Sequence, residues 1–149
     1  MSMNIHACWK GPVAVTREGL KVVLAELGFQ STILHELEGA EGYWPVDIDG
    51  CKTGVEIYFD SNLEELTDDY PVLAAALAGR DSVVTFAWGG DFAEGGAGIA
   101  LAAAIAKLQE GIVYDPQDAV CLSVETAISQ AKEMFDYARK EGYREREDE

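Results

Sequence analysis

Between Ser82 and Gln117 the spacing of hydrophobic positions changes twice. Val83, Val84, Thr85, Phe86 and Trp88 are β-branched or aromatic and suit a pleated, half-buried surface, so Ser82–Trp88 is predicted to be a strand. Gly89 and Gly90 permit the tight turn that follows. Asp91 is placed to accept from free N–H groups of a first helical turn, with Glu94 three residues on, an Asp form of the capping box. Ile99, Ala102, Ile105 and Ala106 then recur at helical spacing, with Leu101 and Leu108 widening the stripe, as far as about Gln109. Gly111–Tyr114 reads as a second strand, completing a β-α-β unit.

Earlier in the chain, Asn4–Trp9 is a short strand broken by Lys10-Gly11-Pro12. Thr16 caps a helix carrying Leu20, Val23, Leu24 and Leu27, and Gly28 supplies the left-handed stop. From Ser31 to Asp60 the period falls to about two. Three strands are expected there, Ile33–Glu38, Gly42–Ile48 and Lys52–Phe59, with a break at Gly39 and a hairpin turn at Asp49-Gly50. In the third, Val55, Ile57 and Phe59 share one face and Glu56 and Tyr58 the other, as in an antiparallel sheet with one face on the core. Leu63–Leu66 is at most a helical turn. Asp69 caps a helix with Val72, Leu73, Ala76 and Leu77, ended by Gly79. After Asp115-Pro116-Gln117 turns the chain, Ser123 caps a last helix with Val124, Ile128, Ala131, Phe135 and Ala138 on one side. These elements imply an α+β (or α/β) fold: a single domain over 1–142, a mostly antiparallel sheet with helices packed on it and a central β-α-β unit, then a polar tail over 143–149.

The 149 residues are enough for one domain with a real core. Their 27 acidic and 11 basic side chains give a net charge of −16, which disfavours nucleic acid and anionic membranes and leaves a basic protein as the natural partner. No apolar run reaches the ~18 residues of a membrane span, and Met1–Trp9 lacks the form of a secretory signal. Three separated cysteines, Cys8, Cys51 and Cys121, argue against a disulfide framework or a zinc knuckle, and a cytoplasmic location is expected.

The charge is concentrated. From Glu36 to Asp69 there are eleven carboxylates with Lys52 the sole formal cation, so this segment carries −10 of the −16. Strand alternation is expected to put Glu36 with Glu38, and Asp47 with Asp49, on shared faces. With Glu56, Tyr43 and Trp44 these are the candidate partner-binding residues: a dense negative field steers a basic partner, and tyrosine and tryptophan dominate binding hot spots. Charge reversal at Asp47 and Asp49 is then expected to slow association and leave folding unchanged. The plainer alternative is a solvated face that blocks edge-to-edge aggregation.

Other chemistry has less support. A metal alternative rests on Asp47, Asp49 and Glu56; the first two resemble the start of a calcium loop, but Gly50 follows too early and the third acidic ligand is absent, so no metal or other cofactor is expected. His6 and His35 lack zinc spacing and no serine sits in a nucleophile elbow. Pairing of Cys8 with His35, or of Cys121 with His6, would have to come from the fold. Gly95, Gly96 and Gly98 do not follow the dinucleotide pattern, and Asp91 and Glu94 would repel phosphate. Close packing, or a ligand at the turn, accounts for these glycines.

The run Phe86-Ala87-Trp88-Gly89-Gly90-Asp91 with Glu94, the Ala-rich helix, and Gly111-Ile112-Val113-Tyr114-Asp115-Pro116-Gln117 resemble small cytoplasmic bacterial proteins of the toxin-immunity kind. That resemblance implies a tight heterodimer with a cognate toxin, no enzyme activity and no catalytic residue. A non-enzymatic acidic inhibitor of a basic toxin or effector is therefore the leading expectation. A small-molecule-binding protein or small enzyme with a pocket near Gly89–Gly96 is the alternative, and a self-associating module a third.

Overall fold

A computed structural model describes residues 3–11, 15–37, 39–60, 74–75, 79–80, 82–89, 91–117 and 120–141. The fold is α+β. Seven strands form one antiparallel sheet: β1 (Met3–Trp9), β2 (Ser31–Ile33), β3 (Gly42–Ile48), β4 (Cys51–Asp60), β5 (Ser82–Trp88), β6 (Ile112–Asp115) and β7 (Val120–Leu122), in the spatial order β2-β3-β4-β5-β1-β6-β7. Helices α1 (Arg17–Glu26), α2 (Phe92–Leu108) and α3 (Val124–Glu141) complete the elements described. β1 runs antiparallel to both β5 and β6, so these two strands are parallel to each other with β1 between them. The expected β-α-β unit is present, split by the N-terminal strand.

Residue 92 onward shows why α2 is central. The side chains from Ala93 to Ala106 are buried on every side of the helix, since it lies against the sheet, α1 and α3 together. An alanine-rich helix that is apolar all round belongs inside. The expected stripe was thus only part of a buried cylinder. Asp91 caps it as read from sequence, its carboxylate accepting from Ala93 N at 2.8 Å and Glu94 N at 3.1 Å. The glycines of its first turns mark close approaches. A Cβ on Gly98 would lie 3.0 Å from the Trp88 ring, one on Gly96 3.0 Å from Phe135, and one on Gly95 2.7 Å from Trp88 Nε1.

Both ends of the first helix are as expected, with Thr16 Oγ1 accepting from Gly19 N at 3.0 Å and Gly28 at φ +95°. Phe29 N then bonds Leu24 O at 2.8 Å and Gly28 N bonds Ala25 O at 3.0 Å, a Schellman stop. Ser123 caps α3 through Thr126 N at 3.1 Å. On α3, Ala127, Ala131, Phe135 and Ala138 are buried, and Val124 and Ile128 pack partly against the core.

The Asp49-Gly50 hairpin is confirmed, with φ of 53° and 83° and Ile48 directly opposite Cys51. Two positive φ values in a two-residue loop are the I′ geometry. The strand expected over Ile33–Glu38 is instead Ser31–Ile33, and the reason lies in its neighbour. With Ile48 and Cys51 closing the turn, alternate residues Asp47, Pro45 and Tyr43 direct their backbone bonds toward β2. Ile33 pairs with Val46, so the next residue, Leu34, would have to pair with Pro45, which has no N–H to give. The ladder stops there, and residues 34–37 and 39–41 lie outside the sheet. Most of the helix expected before Gly79, the turn at Leu63–Leu66, Glu38 and the tail over 143–149 lie outside the described residues. No helix among the described residues is long and apolar enough to cross a membrane.

Candidate functional site

The sheet has two unlike faces. Trp44, Val46 and Ile48 of β3, Val55 and Ile57 of β4, Val84, Phe86 and Trp88 of β5, and Ile5, Ala7 and Trp9 of β1 face the helices and form the core. The opposite face carries Tyr43, Pro45 and Asp47 of β3, Lys52, Glu56 and Tyr58 of β4, Thr85 of β5, His6 and Cys8 of β1, Tyr114 of β6 and Cys121 of β7.

At the β3–β4 end this second face is open. Tyr43 is 36% exposed and Tyr58 40%, and Glu56 stands directly across from Tyr43. Tyr58 donates its hydroxyl proton to Glu56 Oε1 at 2.7 Å. That hydrogen bond, then partial burial and the negative charges of Glu56 and Glu41, push the Tyr58 phenol above its usual value. Glu41 precedes Gly42, which pairs with Ile57, and so comes beside Tyr58 in the same patch, just before the strand. Asp47 lies farther along the same face, opposite Lys52 and Thr32.

Where β2 has ended beside Pro45, a cleft of about 380 Å³ opens, lined by His35, Glu36, Gly39, Ala40, Glu41, Tyr43, Trp44 and Pro45. Trp44 is buried and belongs to the core, unlike Tyr43 on the other face of the strand, and its indole N–H donates to Glu36 O at 3.3 Å. Glu36 is exposed; its carboxylate takes the Arg17 guanidinium at 3.4 Å. Arg17 also donates from Nη1 to Leu34 O at 3.2 Å.

The expected carboxylates thus divide. Glu36, Asp47 and Glu56 sit on or beside the open face with Tyr43. Asp49 does not: it occupies the turn, and its carboxylate accepts from Gln30 N at 2.8 Å. The expectation that Asp47 and Asp49 share a face fails because Asp49 is in the left-handed region, where strand alternation has already ended. Glu38 is not among the described residues. Glu41, one of the eleven carboxylates of the Glu36–Asp69 segment, and Tyr58 join this set; the period of two that pairs Tyr58 with Glu56 also directs it outward.

At the other end of this face, His6, Cys8 and Tyr114 are buried. His6 Nδ1 is 2.8 Å from Thr85 Oγ1, and its ring stacks on Tyr114 with centroids 6.1 Å apart. Tyr114 pairs with both His6 and Cys121 and so stands between them, while Cys8 is on β1 and His35 lies beyond the end of β2, beside β3. Burial, and to a lesser degree Cys121, push the Cys8 thiol up to about 12, against a lowering by Arg80, which is the opposite of what a nucleophile needs. Among the described residues no three His, Cys, Asp or Glu side chains gather as a metal site. Gly95, Gly96 and Gly98 face Trp88, Met134, Phe135 and Phe86, so packing occupies the space beside them. Comparison with protein-family models, with curated proteins and with solved structures finds no match to the chain.

Proposed function

We propose that this chain is a non-enzymatic binding protein whose outer β3–β4 face docks a basic protein, in the manner of an immunity inhibitor that masks a toxin or effector. One observation carries the reading: two exposed tyrosines, Tyr43 and Tyr58, stand with Glu56 and Asp47 on a single sheet face, and Glu41 lies just before it. Tyrosines bury large areas at little entropic cost and hold cations against their ring faces, and the carboxylates steer and orient a positive partner. The rigidity of the paired strands beneath them means that little has to be ordered on binding.

The test uses co-expression with the product of a neighbouring reading frame, followed by stopped-flow association across a range of salt concentrations. Association is expected to slow steeply with salt, and Glu56→Lys or Asp47→Lys to slow it about tenfold at low ionic strength. Protection of cell growth against that product, weakened by the same substitutions, would complete the case. Association indifferent to salt and to both reversals would remove the docking face from consideration.

A further inference from the structure

The cleft beside Pro45 has a chemistry of its own. Its volume, about 380 Å³, falls in the range of small-ligand pockets, about 300–1,000 Å³. Tyr43, Trp44 and Pro45 supply flat apolar surface, and Glu36 and Glu41 supply carboxylates. The Glu36 carboxylate already receives a guanidinium, that of Arg17, whose Nη1 bonds the Leu34 carbonyl. The 34–36 segment therefore offers guanidinium acceptors from both side chain and backbone. Arg17 offsets one of the two cleft glutamates, and Glu41, with Glu56 close to the same Tyr58, adds further negative charge.

We propose that this cleft receives one arginine side chain of the basic partner, its guanidinium between Glu36 and Glu41 and its plane against Tyr43. Arginine fits better than lysine because a planar, weakly hydrated cation both stacks on an aromatic ring and bonds carboxylates as a fork, whereas an ammonium remains a hydrated point charge. The inference rests on the proposed docking face and names the anchor within it. Arg17 acts as an internal competitor for Glu36, so the site is tuned by an ion pair of the chain itself.

N-acetylarginine amide, N-acetyllysine amide and N-acetylcitrulline amide are the probes, titrated into the ¹⁵N-labelled full chain. Saturable shifts of the Trp44 indole and the Ala40 and Glu41 amides are expected with arginine, weaker ones with lysine and none with citrulline, which keeps the shape and loses the charge. Glu41→Gln and Glu36→Gln, both exposed sites, should each weaken the arginine response several-fold. Arg17→Gln should strengthen it about threefold, the scale of an exposed ion pair. Equal responses to arginine and citrulline, or to arginine and lysine, overturn the proposal, as does an arginine response indifferent to the glutamate substitutions. Failure of the wider reading looks different: there the salt dependence and the Glu56→Lys effect on the basic partner are absent, whatever arginine amide does.

Discussion

Asp49 and Gln30 exchange two hydrogen bonds: Asp49 N donates to Gln30 O at 2.7 Å, and Gln30 N donates to Asp49 Oδ1 at 2.8 Å. Arg139 of α3 adds a third tie by donating to the Asp49 carbonyl at 3.1 Å. The hairpin tip is thereby joined to the entry of β2 and to the last helix. Asp49 is a clasp, and its carboxylate is occupied.

It follows that the two aspartates of the hairpin will separate under mutation. Asp49→Ala loses a backbone cap and places alanine at φ 53°, so a loss of about 1–3 kcal/mol is expected in urea unfolding. Asp49→Asn keeps an acceptor oxygen and tolerates that backbone, and should cost less. Asp47→Asn, on the open face, is expected to leave the unfolding free energy within about 0.5 kcal/mol of the parent. A larger loss at Asp47 than at Asp49 would contradict this division.

The end of α2 carries a second testable pair. Glu110 takes the left-handed position that glycine usually fills, at φ 53°, and Gly111 N closes the Schellman bond to Ala106 O at 2.7 Å. The glycine is used one residue later because a Cβ on Gly111 would collide with the Cys8 carbonyl of β1, a backbone atom that cannot swing away. Glu110→Gly should therefore stabilise the fold by about 0.5–1 kcal/mol, and Gly111→Ala should cost more than any alanine in the helix glycines. Gly98→Ala, tight against the Trp88 ring, is expected to fall between them, its packing penalty partly offset by about 1 kcal/mol of helix propensity. Denaturant midpoints of the three variants give the order directly.

How far such features could be read from sequence depends on their range. Caps at Thr16, Asp91 and Ser123, the stop at Gly28 and the Asp49-Gly50 turn are local, and each is formed by residues within a few positions of one another. The register of β3 against β4 follows from the turn, so the outward set of Tyr43, Glu56 and Tyr58 was accessible from alternation alone. The insertion of β1 between β5 and β6 was not, because nothing within Met3–Trp9 names its neighbours. Nor was the early end of β2. Ile33 and Leu37 fall on one face of a period of two, with Glu36 on the other, enough to extend a strand, and Pro45 on the facing strand forbids it. The cleft arises from that long-range interruption, which is why the sequence offers Glu36, Tyr43 and Trp44 as separate residues and no site.

The cysteines should differ in reactivity by environment. Cys8 and Cys51 are buried and Cys121 is exposed, so one thiol of the native protein should react promptly with a disulfide reagent near neutral pH and all three after denaturation. Cys8 also contributes to alkaline behaviour. Its thiol is raised from 9.0 to about 12 in the folded chain, mainly by burial, so from about pH 9 upward the unfolded state loses this proton first. The unfolded state then binds fewer protons than the native state, and stability must fall as pH rises through that window. Cys8→Ala should flatten the decline. A native protein in which Cys8 reacts as fast as Cys121 would refute its burial.

The titration of Tyr58 tests the geometry of the docking face without any partner. Its hydroxyl bond to Glu56, with lesser contributions from partial burial and the charges of Glu56 and Glu41, holds the phenol protonated above its usual range. Tyrosine-selective labelling followed by NMR titration should therefore show Tyr58 ionising later than an ordinary exposed tyrosine. Glu56→Gln removes the carboxylate acceptor and one charge, and should bring the titration down markedly; Glu41→Gln removes charge alone and should lower it less. Glu41 precedes Gly42, which pairs with Ile57, so continuing that register sets it opposite Tyr58, and the smaller shift tests that placement. Its absence would mean that this carboxylate belongs to the cleft alone, and the cleft and the tyrosine face would have to be treated as separate surfaces.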